Sequence, residues 1–495
     1  MIYKNPVVKG FCPDPSVCFA NGKFYMVCGS YQYFPSVPIF ESEDLVNWTQ
    51  IGYALDRPDQ VMLDKIVSSG GVTAPTIRYN AGIFYVCLTN DTTRQNFFVK
   101  TDNIYGSWSD PIYVEQGGSD PSMYFEKNRC YFMSNGEDAE GVSGIIQCEI
   151  DPATGKRISD SKCLWQGGAG RFYESPHLYK IGKWYYLMAA EGGTDYGHMI
   201  ACARSRSLWG RYSRNPNNPV LSNRNKAPYI IQGIGRGELV ADQNGNWFIL
   251  SGGFRQMQLW MPFHNLGREV FLSPVKFGED GWFTAGRDGT TEESFEIDGE
   301  FSQSFKRHYT FENTSWKIDW SYMREPDEKK YELRDDKAVL IGSEVDLEDT
   351  DSPTFIAMRQ KEFNFTMSAD VKVEGSGECG FTVYMCENEH YDVLIRKSAE
   401  EGYEAVLKLN IGGIKHTQKV LPLKDDHARL TVSADNFSYS FAFRNEDDAV
   451  ATQLGYGYAK YLTSEVSGGY TGVMLGLYAT GECRAEFTNF DLEYK

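Results

Sequence analysis

The chain has 495 residues, 41% hydrophobic and 14% aromatic, and a formal net charge of −18 at pH 7. This length predicts two or three domains. The negative charge argues against nucleic acid or an anionic membrane surface as a partner, because both would repel the protein. No apolar run reaches the roughly 18 residues that a membrane span needs. Glycine, aromatic and β-branched residues are abundant and long Leu/Ala-rich stretches are rare, which favours an all-β protein.

The N-terminal stretch GFCPDPSVCF, residues 10–19, holds a single carboxylate between two prolines. Because Asp14 precedes Pro15, we expect its backbone to be restricted and extended. Taken alone, the stretch favours an ordinary turn, since Pro and Asp are turn residues.

A related pattern recurs through the first 290 residues. Each copy has a short polar entry, often with proline, then an apolar pair, a turn and an aromatic-rich second strand. The copies begin at Asp14, Ala74, Asp120, Ser175 and Arg236. They are spaced by 46 to 61 residues, which fits one four-stranded sheet per copy. The repeat predicts a five-bladed β-propeller over residues 1–293, with an unrelated series of hairpins as the alternative.

Three acids stand at or beside the starts of these copies: Asp14, Asp120 and Glu174. In a propeller the first strand of each blade lines the central channel, so we expect the three carboxylates to share one funnel. Opposed carboxylates that flank a pocket can hydrolyse a glycosidic bond if one is protonated and another ionised. The flanking Phe172 and Tyr173 predict an apolar setting that raises the pKa of Glu174.

The residue composition and pattern of the chain change after about Gly289. The segment TTEESFEIDGEFSQSF is polar and acidic and is typical of a linker. From residue 301 short segments alternate apolar and polar residues between turn signals. This pattern predicts an antiparallel β-sandwich over residues 301–495.

The eleven cysteines contain no CxxC pair, and several lie in apolar, strand-like runs. They are interpreted as buried, reduced thiols. The start MIYKNPVVKG has neither a basic n-region nor an apolar h-region, so no secretory signal is expected. Together these features predict a cytoplasmic protein. The seven histidines show no metal-ligand spacing.

The segments NPVVKGFCPDPSV, SDPSMYF, FYESPHLYKIGKWYYLMAAEGGT and HNLGREVFLSPV resemble glycoside hydrolase family 43. In particular they are similar to its two-domain exo-acting β-xylosidases and α-L-arabinofuranosidases. The resemblance implies a concanavalin-like jelly roll as the second domain. It also implies an inverting hydrolase that releases terminal α-L-arabinofuranosyl or β-D-xylosyl residues from (arabino)xylo-oligosaccharides.

The same resemblance implies a role for each acid. Asp14 would be the general base, Glu174 the general acid, and Asp120 the group that tunes and orients Glu174. The loop SGGYTG, residues 467–472, would reach the pocket from the second domain. The implied substrate-binding residues are Arg268, Tyr31, Tyr33, Phe34, Thr73, Arg236 and His177. A surface salt bridge is the alternative role for Arg268, and core packing is the alternative for the aromatic cluster.

Two positions depart from the family pattern. Arg236 stands where a histidine often supports a channel metal, and a guanidinium cannot ligate a metal. No cofactor is therefore expected, although a structural calcium away from the acids is left open. Thr73 stands where many β-xylosidases have tryptophan, so activity on both pentosides is expected.

Alternative functions come from three classes. A retaining fructan hydrolase of family 32 shares the predicted architecture, but its middle acid typically lies in RDP, whereas this chain has Ser119-Asp120-Pro121. A non-catalytic sugar-binding propeller would need no acid trio. An endo-acting arabinan hydrolase often lacks the second domain. The expected partner is a small oligosaccharide, and a homo-oligomer is left open.

Overall fold

The computed structural model describes residues 1–168, 170–300 and 302–495, and their regular secondary structure consists almost entirely of β-strands. Phe301, the first residue of the predicted second domain, lies outside the described residues. Five four-stranded antiparallel sheets follow one another along the chain from Ser16 to Ala285. They are the blades of a propeller, as the repeat predicts.

Each blade is numbered in chain order, and its strands are given from the channel outward. Blade 1 consists of Ser16–Ala20, Lys23–Val27, Ser36–Ser42 and Thr49–Leu55. Blade 2 consists of Val72–Asn80, Ile83–Asn90, Gln95–Thr101 and Ile112–Tyr113. Blade 3 consists of Ser119–Glu126, Arg129–Glu137, Ser143–Ile150 and Lys162–Trp165. Blade 4 consists of Glu174–Ile181, Trp184–Glu191, Met199–Ser205 and Ser213–Arg214. Blade 5 consists of Ile231–Ala241, Trp247–Arg255, Glu269–Phe277 and Phe283–Ala285.

The first strands of the five blades contact one another in a closed ring. The short strand Ile2–Lys4 pairs with Ser294–Glu296, so the two ends of the propeller segment are joined. Apolar clusters lie between neighbouring blades, for example the cluster of Val27, Val86 and Val99 between blades 1 and 2. The ring places the openings of the repeats around one axis.

The second unit is a sandwich of two eight-stranded sheets around one hydrophobic core. One sheet contains His308–Thr310, Tyr331–Leu333, Lys337–Ile341, Phe365–Gly375, His427–Ala434, Ser438–Arg444, Thr452–Tyr458 and Cys483–Tyr494. The other contains Ser321–Met323, Thr354–Arg359, Glu378–Cys386, Glu389–Lys397, Tyr403–Ile411, Ile414–Leu423 and Met474–Thr480. Its eighth strand, Tyr33–Phe34, comes from the propeller.

Helical structure in the described residues is confined to short turns. The 3₁₀ segments are Pro58–Gln60, Glu328–Lys330 and Ala459–Tyr461, and one α-helical turn spans Ser464–Ser467. None of the described helices has the length and apolar character that a membrane crossing requires.

The strand Tyr33–Phe34 joins the two units. It pairs with Tyr322 and Met323, so the sandwich sheet continues into the propeller. The buried Arg324 lies beside this junction and donates to the carbonyl oxygen of Ile66 over 2.6 Å. The propeller and the sandwich therefore share a continuous, hydrogen-bonded interface.

The expectation that all cysteines are reduced is wrong for one pair. Cys12 and Cys28 form a disulfide with their Cα atoms 5.4 Å apart, and the other nine cysteines are free. The hairpin of blade 1 lies between them, and hydrogen bonding of the Gly29 amide to the Pro13 carbonyl, 2.7 Å, holds its two flanks together. The pairing therefore follows from strand pairing across 16 residues, which Cys spacing alone does not reveal.

Candidate active site

The residues that open the five repeats adopt a left-handed backbone. The φ angles are 57° at Asp14, 52° at Ala74, 55° at Asp120, 52° at Ser175 and 41° at Arg236. The expectation of an extended backbone at Asp14 is therefore wrong, although the proline after it disfavours only the right-handed helical region. Such a conformation costs about 1–3 kcal/mol at a non-glycine residue and persists only where the surroundings enforce it.

This strained ring of residues forms the floor of one pocket. All five openings line it, together with Glu174, and the pocket has a volume of about 190 Å³. In blades 2 to 5 the register of the first hairpin shifts at this position, and such bulges re-aim a side chain. In these four blades the irregularity turns side chains toward the axis.

Asp14 is buried and paired with a guanidinium. Arg268 donates to both carboxylate oxygens, with 3.3 Å between Nη2 and Oδ2, and its Nη2 also donates to the hydroxyl of Tyr31 over 2.6 Å. Burial alone would raise the pKa of Asp14, but the charges of Arg268 and Arg236 outweigh it and lower the pKa. Asp14 is thus held as a carboxylate, and the surface-pair alternative for Arg268 does not apply.

Asp120 is held by a chain of hydrogen bonds from neighbouring blades. Arg236 donates through Nη1 to the Ser175 hydroxyl over 3.0 Å, and that hydroxyl donates to Asp120 Oδ2 over 2.6 Å. The second guanidinium nitrogen of Arg236 donates to the carbonyl of Pro75 over 2.9 Å. Burial raises the pKa of Asp120, Arg236 and Ser175 oppose the rise, and Asp14 adds to it.

The carboxyl of Glu174 has a strongly raised pKa. Burial, followed by the charges of Asp120 and Asp14, raises its pKa to about 8. The predicted direction is confirmed, but the chain neighbour Phe172 is 61% exposed and does not enclose the acid. The hydroxyl of Thr194 donates to Glu174 Oε1 over 3.2 Å. At neutral pH Glu174 is therefore held protonated while Asp14 is held ionised in the same pocket.

The wall of the pocket includes a residue from the sandwich. Tyr470 lies in the loop 467–472, and its ring stacks on that of Tyr31 with a centroid separation of 6.4 Å and an interplanar angle of 16°. The amide of Tyr470 donates to Ser69 Oγ over 2.8 Å, which fixes the loop to the propeller. The structure thus places the predicted loop at the pocket, and the sandwich completes the wall.

Some of the residues predicted to bind substrate line the pocket and others do not. Those that line it are Tyr31, Thr73, Arg236 and Arg268. Tyr33 and Phe34 do not, because their backbone forms the strand between the units and their rings pack in separate cores. His177 does not line the pocket but is fully buried, with Nδ1 3.0 Å from an Arg78 nitrogen. Burial lowers the pKa of His177 to about 3, so it is neutral.

The structure adds residues that the sequence did not indicate. Ser69, Asp91, Thr194 and His198 line the pocket. Thr194 and His198 lie in the loop after the second strand of blade 4, and the repeat pattern identifies first strands only. Their positions in the pocket depend on how that loop folds.

Family models cover most of the chain. A model described as glycosyl hydrolases family 43 matches residues 3–283, and a β-xylosidase C-terminal concanavalin A-like domain model matches residues 308–493.

Curated and solved relatives are similar over the full length. A non-reducing-end α-L-arabinofuranosidase of Bacteroides ovatus is 35% identical, covering 99% of this chain and 94% of the relative. A xylosidase/arabinosidase of Butyrivibrio fibrisolvens is 32% identical, covering 100% and 99%. The solved structure of a Bacteroides ovatus xyloglucan PUL GH43B protein superposes with a TM-score of 0.92 at 33% identity, covering 100% of both chains.

Proposed function

The chain belongs to glycoside hydrolase family 43, and from this we infer an inverting exo-acting glycosidase that releases terminal α-L-arabinofuranosyl or β-D-xylosyl units from small oligosaccharides. The observation that carries the proposal is that two carboxyls in the pocket have pKa values shifted in opposite directions. The pKa of Glu174 is raised to about 8 while that of Asp14 is lowered, within one pocket. The names of the two curated relatives support both pentosyl units.

The reaction uses one water molecule. Asp14 takes a proton from the water, whose oxygen attacks the anomeric carbon as the bond to the leaving oxygen breaks. Glu174 gives its proton to that leaving oxygen, so Asp14 ends protonated and Glu174 ionised. Proton exchange with solvent restores both groups. An inverting site of this kind places the two carboxyls about 6.5–9.5 Å apart to leave room for the water.

The shape of the pocket supports an exo mode of action. Its volume of about 190 Å³ is smaller than the roughly 300–1,000 Å³ of sites for larger ligands, which suits one sugar ring. Tyr470 closes one side and supplies an aromatic face, whereas Thr73 supplies none. Without a tryptophan at position 73, either pentosyl unit can be accepted.

The proposal is tested with a panel of nitrophenyl glycosides, followed by proton NMR of the first-formed sugar. We expect turnover of the α-L-arabinofuranoside, the β-D-xyloside or both, with inversion at the anomeric carbon. Retention of configuration, or turnover of a fructoside alone, would favour the fructan-hydrolase alternative. Absence of turnover with retained sugar binding would favour a binding propeller.

The pH profile should depend on Asp120. With Asp120→Asn the negative charge that helps keep Glu174 protonated is lost, so the pKa of Glu174 falls from about 8. We expect the alkaline limb of the kcat/KM profile, which reports the free enzyme, to move to lower pH. Thr194→Val should move the limb the other way, because the Thr194 hydroxyl lowers the pKa of Glu174. Limbs that stay in place in both variants would contradict these roles.

Tyr470 should contribute to substrate binding. Tyr470→Ala removes the ring that faces the pocket beside Tyr31, and we expect KM for the nitrophenyl pentosides to rise several-fold to about tenfold, as loss of an aromatic contact predicts. Tyr470→Phe keeps the ring and should keep KM. An unchanged KM in the alanine variant would show that Tyr470 of the sandwich does not contribute to substrate binding.

We further propose that turnover needs no metal in the channel. The Arg236 guanidinium lies at the pocket floor, bonded to Ser175 and Pro75, and it supplies the positive charge that a cation would bring. Activity should survive prolonged chelator treatment. Loss of activity that calcium restores would overturn this proposal. A structural calcium far from the acids stays a prediction.

The cytoplasmic location also stays a prediction, and a homo-oligomer stays open. The Cys12–Cys28 disulfide removes one of the two grounds for a cytoplasmic protein, since disulfides are rare in reducing compartments.

A further inference from the structure

A larger cavity lies on blades 4 and 5 beside the catalytic pocket. It has a volume of about 700 Å³, and its lining includes Arg171, Arg224, Lys226, Trp260, Tyr196 and Gln256. We call it the basic pocket. None of the residues that the mechanism uses lines it, so the catalytic step leaves its purpose unexplained.

An intermediate cavity of about 450 Å³ lies between the basic pocket and the catalytic pocket. Thr194, Arg268 and Tyr470 line both the catalytic pocket and this intermediate cavity. Tyr196 lines both the intermediate cavity and the basic pocket. The three cavities therefore follow one another in series, leading away from the site of bond cleavage.

The boundary between the second and third cavities is held in place by hydrogen bonds from both units. The hydroxyl of Tyr196 donates to Glu465 over 2.8 Å and accepts from Gln256 over 3.3 Å. Tyr196 is two residues beyond Thr194, which contacts the catalytic acid. Two residues span at most roughly 7 Å even when fully extended, so the basic pocket begins within a few sugar units of the scissile bond.

The charge of the basic pocket contrasts with that of the protein. Its described lining residues include Arg171, Arg224 and Lys226 but no carboxylate, whereas the whole chain has a net charge of −18. All three cations are exposed, and no ion pair in the described part of the chain involves them. The guanidinium of Arg224 donates to the thioether of Met199 over 3.2 Å, and a thioether is a weak acceptor. The site thus offers strong donors without acidic partners.

Nearby acids are already bonded to other groups. The Glu191 carboxylate accepts from the amides of Gly168 and Gly170 at 3.0 and 2.7 Å. Glu465 is paired with His264 at 2.6 Å. The cations of the basic pocket therefore favour an external anion.

The basic pocket also offers an apolar face. Trp260 is 77% exposed, the largest exposed fraction among tryptophans in the described residues, and Leu259 beside it is 49% exposed. A flat indole at a sugar-binding site can pack against the C–H face of a pyranose ring. Guanidinium groups bind carboxylates in a bidentate geometry, which an ammonium cannot match.

We propose that the basic pocket binds a carboxylate-bearing sugar, a uronic acid, on the part of the substrate that leaves. The proposal rests on the glycosidase function above and deepens it: the preferred substrate is an acidic oligosaccharide whose terminal pentosyl unit enters the catalytic pocket. Arg171, Arg224 and Lys226 would recognise the carboxylate, and Trp260 the ring.

The test uses a matched pair of substrates: a xylo-oligosaccharide with a uronic acid substituent, and the same compound with its carboxyl reduced to an alcohol. For the wild-type enzyme we expect kcat/KM to be about tenfold higher with the acid, as a charge-assisted hydrogen bond predicts. The preference should weaken as salt is added. Arg224→Gln/Lys226→Gln should abolish it and leave turnover of the neutral compound unchanged.

A control variant removes the same charge elsewhere. Arg211 and Lys276 are exposed residues of blades 4 and 5 outside the cavity, and Arg211→Gln/Lys276→Gln should keep the preference. If this control loses the preference equally, the effect is one of net charge and the inference is overturned. Equal kcat/KM for the two substrates in the wild-type enzyme also overturns it.

Binding separates this inference from the proposed reaction. Calorimetric titration of both oligosaccharides into Glu174→Gln enzyme reports affinity without turnover. We expect the acidic oligosaccharide to bind more tightly than the reduced one, and we expect Arg224→Gln/Lys226→Gln to remove this difference in affinity. That result supports the basic pocket even if the wild-type enzyme cleaves another glycosidic bond. Lack of turnover on every pentoside would count against the proposed function alone, whereas equal affinities would count against the basic pocket alone.

Discussion

Asp14→Ala is expected to lower kcat/KM by about 10²–10⁴-fold on every substrate, because no group is left to take the proton from the attacking water. The loss should not depend on the leaving group, since the base acts on the water and not on the departing oxygen. It is measured with nitrophenyl glycosides whose phenols span a range of acidity.

The substitution also affects Arg268, and the two effects must be separated. Asp14 and Arg268 form a buried pair, and removal of one partner of such a pair costs about 3–5 kcal/mol of stability. Asp14→Asn keeps the shape of the side chain but is not a base, so it should lose activity as fully as the alanine variant. Thermal unfolding of both variants shows whether the enzyme assayed is folded.

Chemical rescue distinguishes a base from a structural residue. In Asp14→Ala the removed carboxyl leaves space for a small anion such as azide, which can attack the anomeric carbon without a base. We expect azide to restore turnover and to yield a glycosyl azide of inverted configuration. A product of retained configuration, or activity near that of the wild type, would show that Asp14 is not the general base.

Glu174→Gln should give a different pattern of losses. Unactivated oligosaccharides need a proton on the leaving oxygen and should lose about 10²–10⁴-fold in kcat/KM. Dinitrophenyl glycosides, whose phenolate departs without protonation, should lose far less. The alkaline limb that the pKa of about 8 predicts for the wild type should vanish in the variant.

The contrast between the two variants is the decisive measurement. Plots of log kcat/KM against leaving-group pKa should be steep for Glu174→Gln and displaced downward without a change of slope for Asp14→Ala. If Glu174→Gln lowers kcat/KM by the same factor for all substrates, Glu174 does not protonate the leaving group. The assignment of acid and base would then have to be exchanged or abandoned.

The sequence by itself determined the fold class and the positions of the three acids. Hydrophobic alternation and turn residues are local properties, and a repeat of them at blade-sized spacing predicts blades wherever the loops lead. The acids could be found because Asp14 and Asp120 open their repeats and Glu174 stands one residue before the start of its own, where the first strand meets the channel. Arg268 and Thr73 followed from the family resemblance and line the pocket.

Only the tertiary structure decided which aromatic side chains form the wall. Tyr31 and Tyr33 are two residues apart and look alike in the sequence, and both pack in the same buried cluster, yet only Tyr31 also lines the pocket. The difference arises because Tyr33–Phe34 pairs with Tyr322 and Met323, nearly 300 residues away in the chain. No local pattern encodes that pairing.

The electrostatics of the site were also decided by the fold. The pKa of Glu174 depends on burial and on charges contributed by blades 1 and 3, and its exposed neighbour Phe172 contributes little cover. The left-handed backbone at Asp14 has a similar origin, since neighbouring strands enforce a conformation that its own residues disfavour. The residue pattern along the chain predicts which residues face the channel. The pKa shifts and the backbone conformation depend on charged and packed neighbours that only the folded chain brings together.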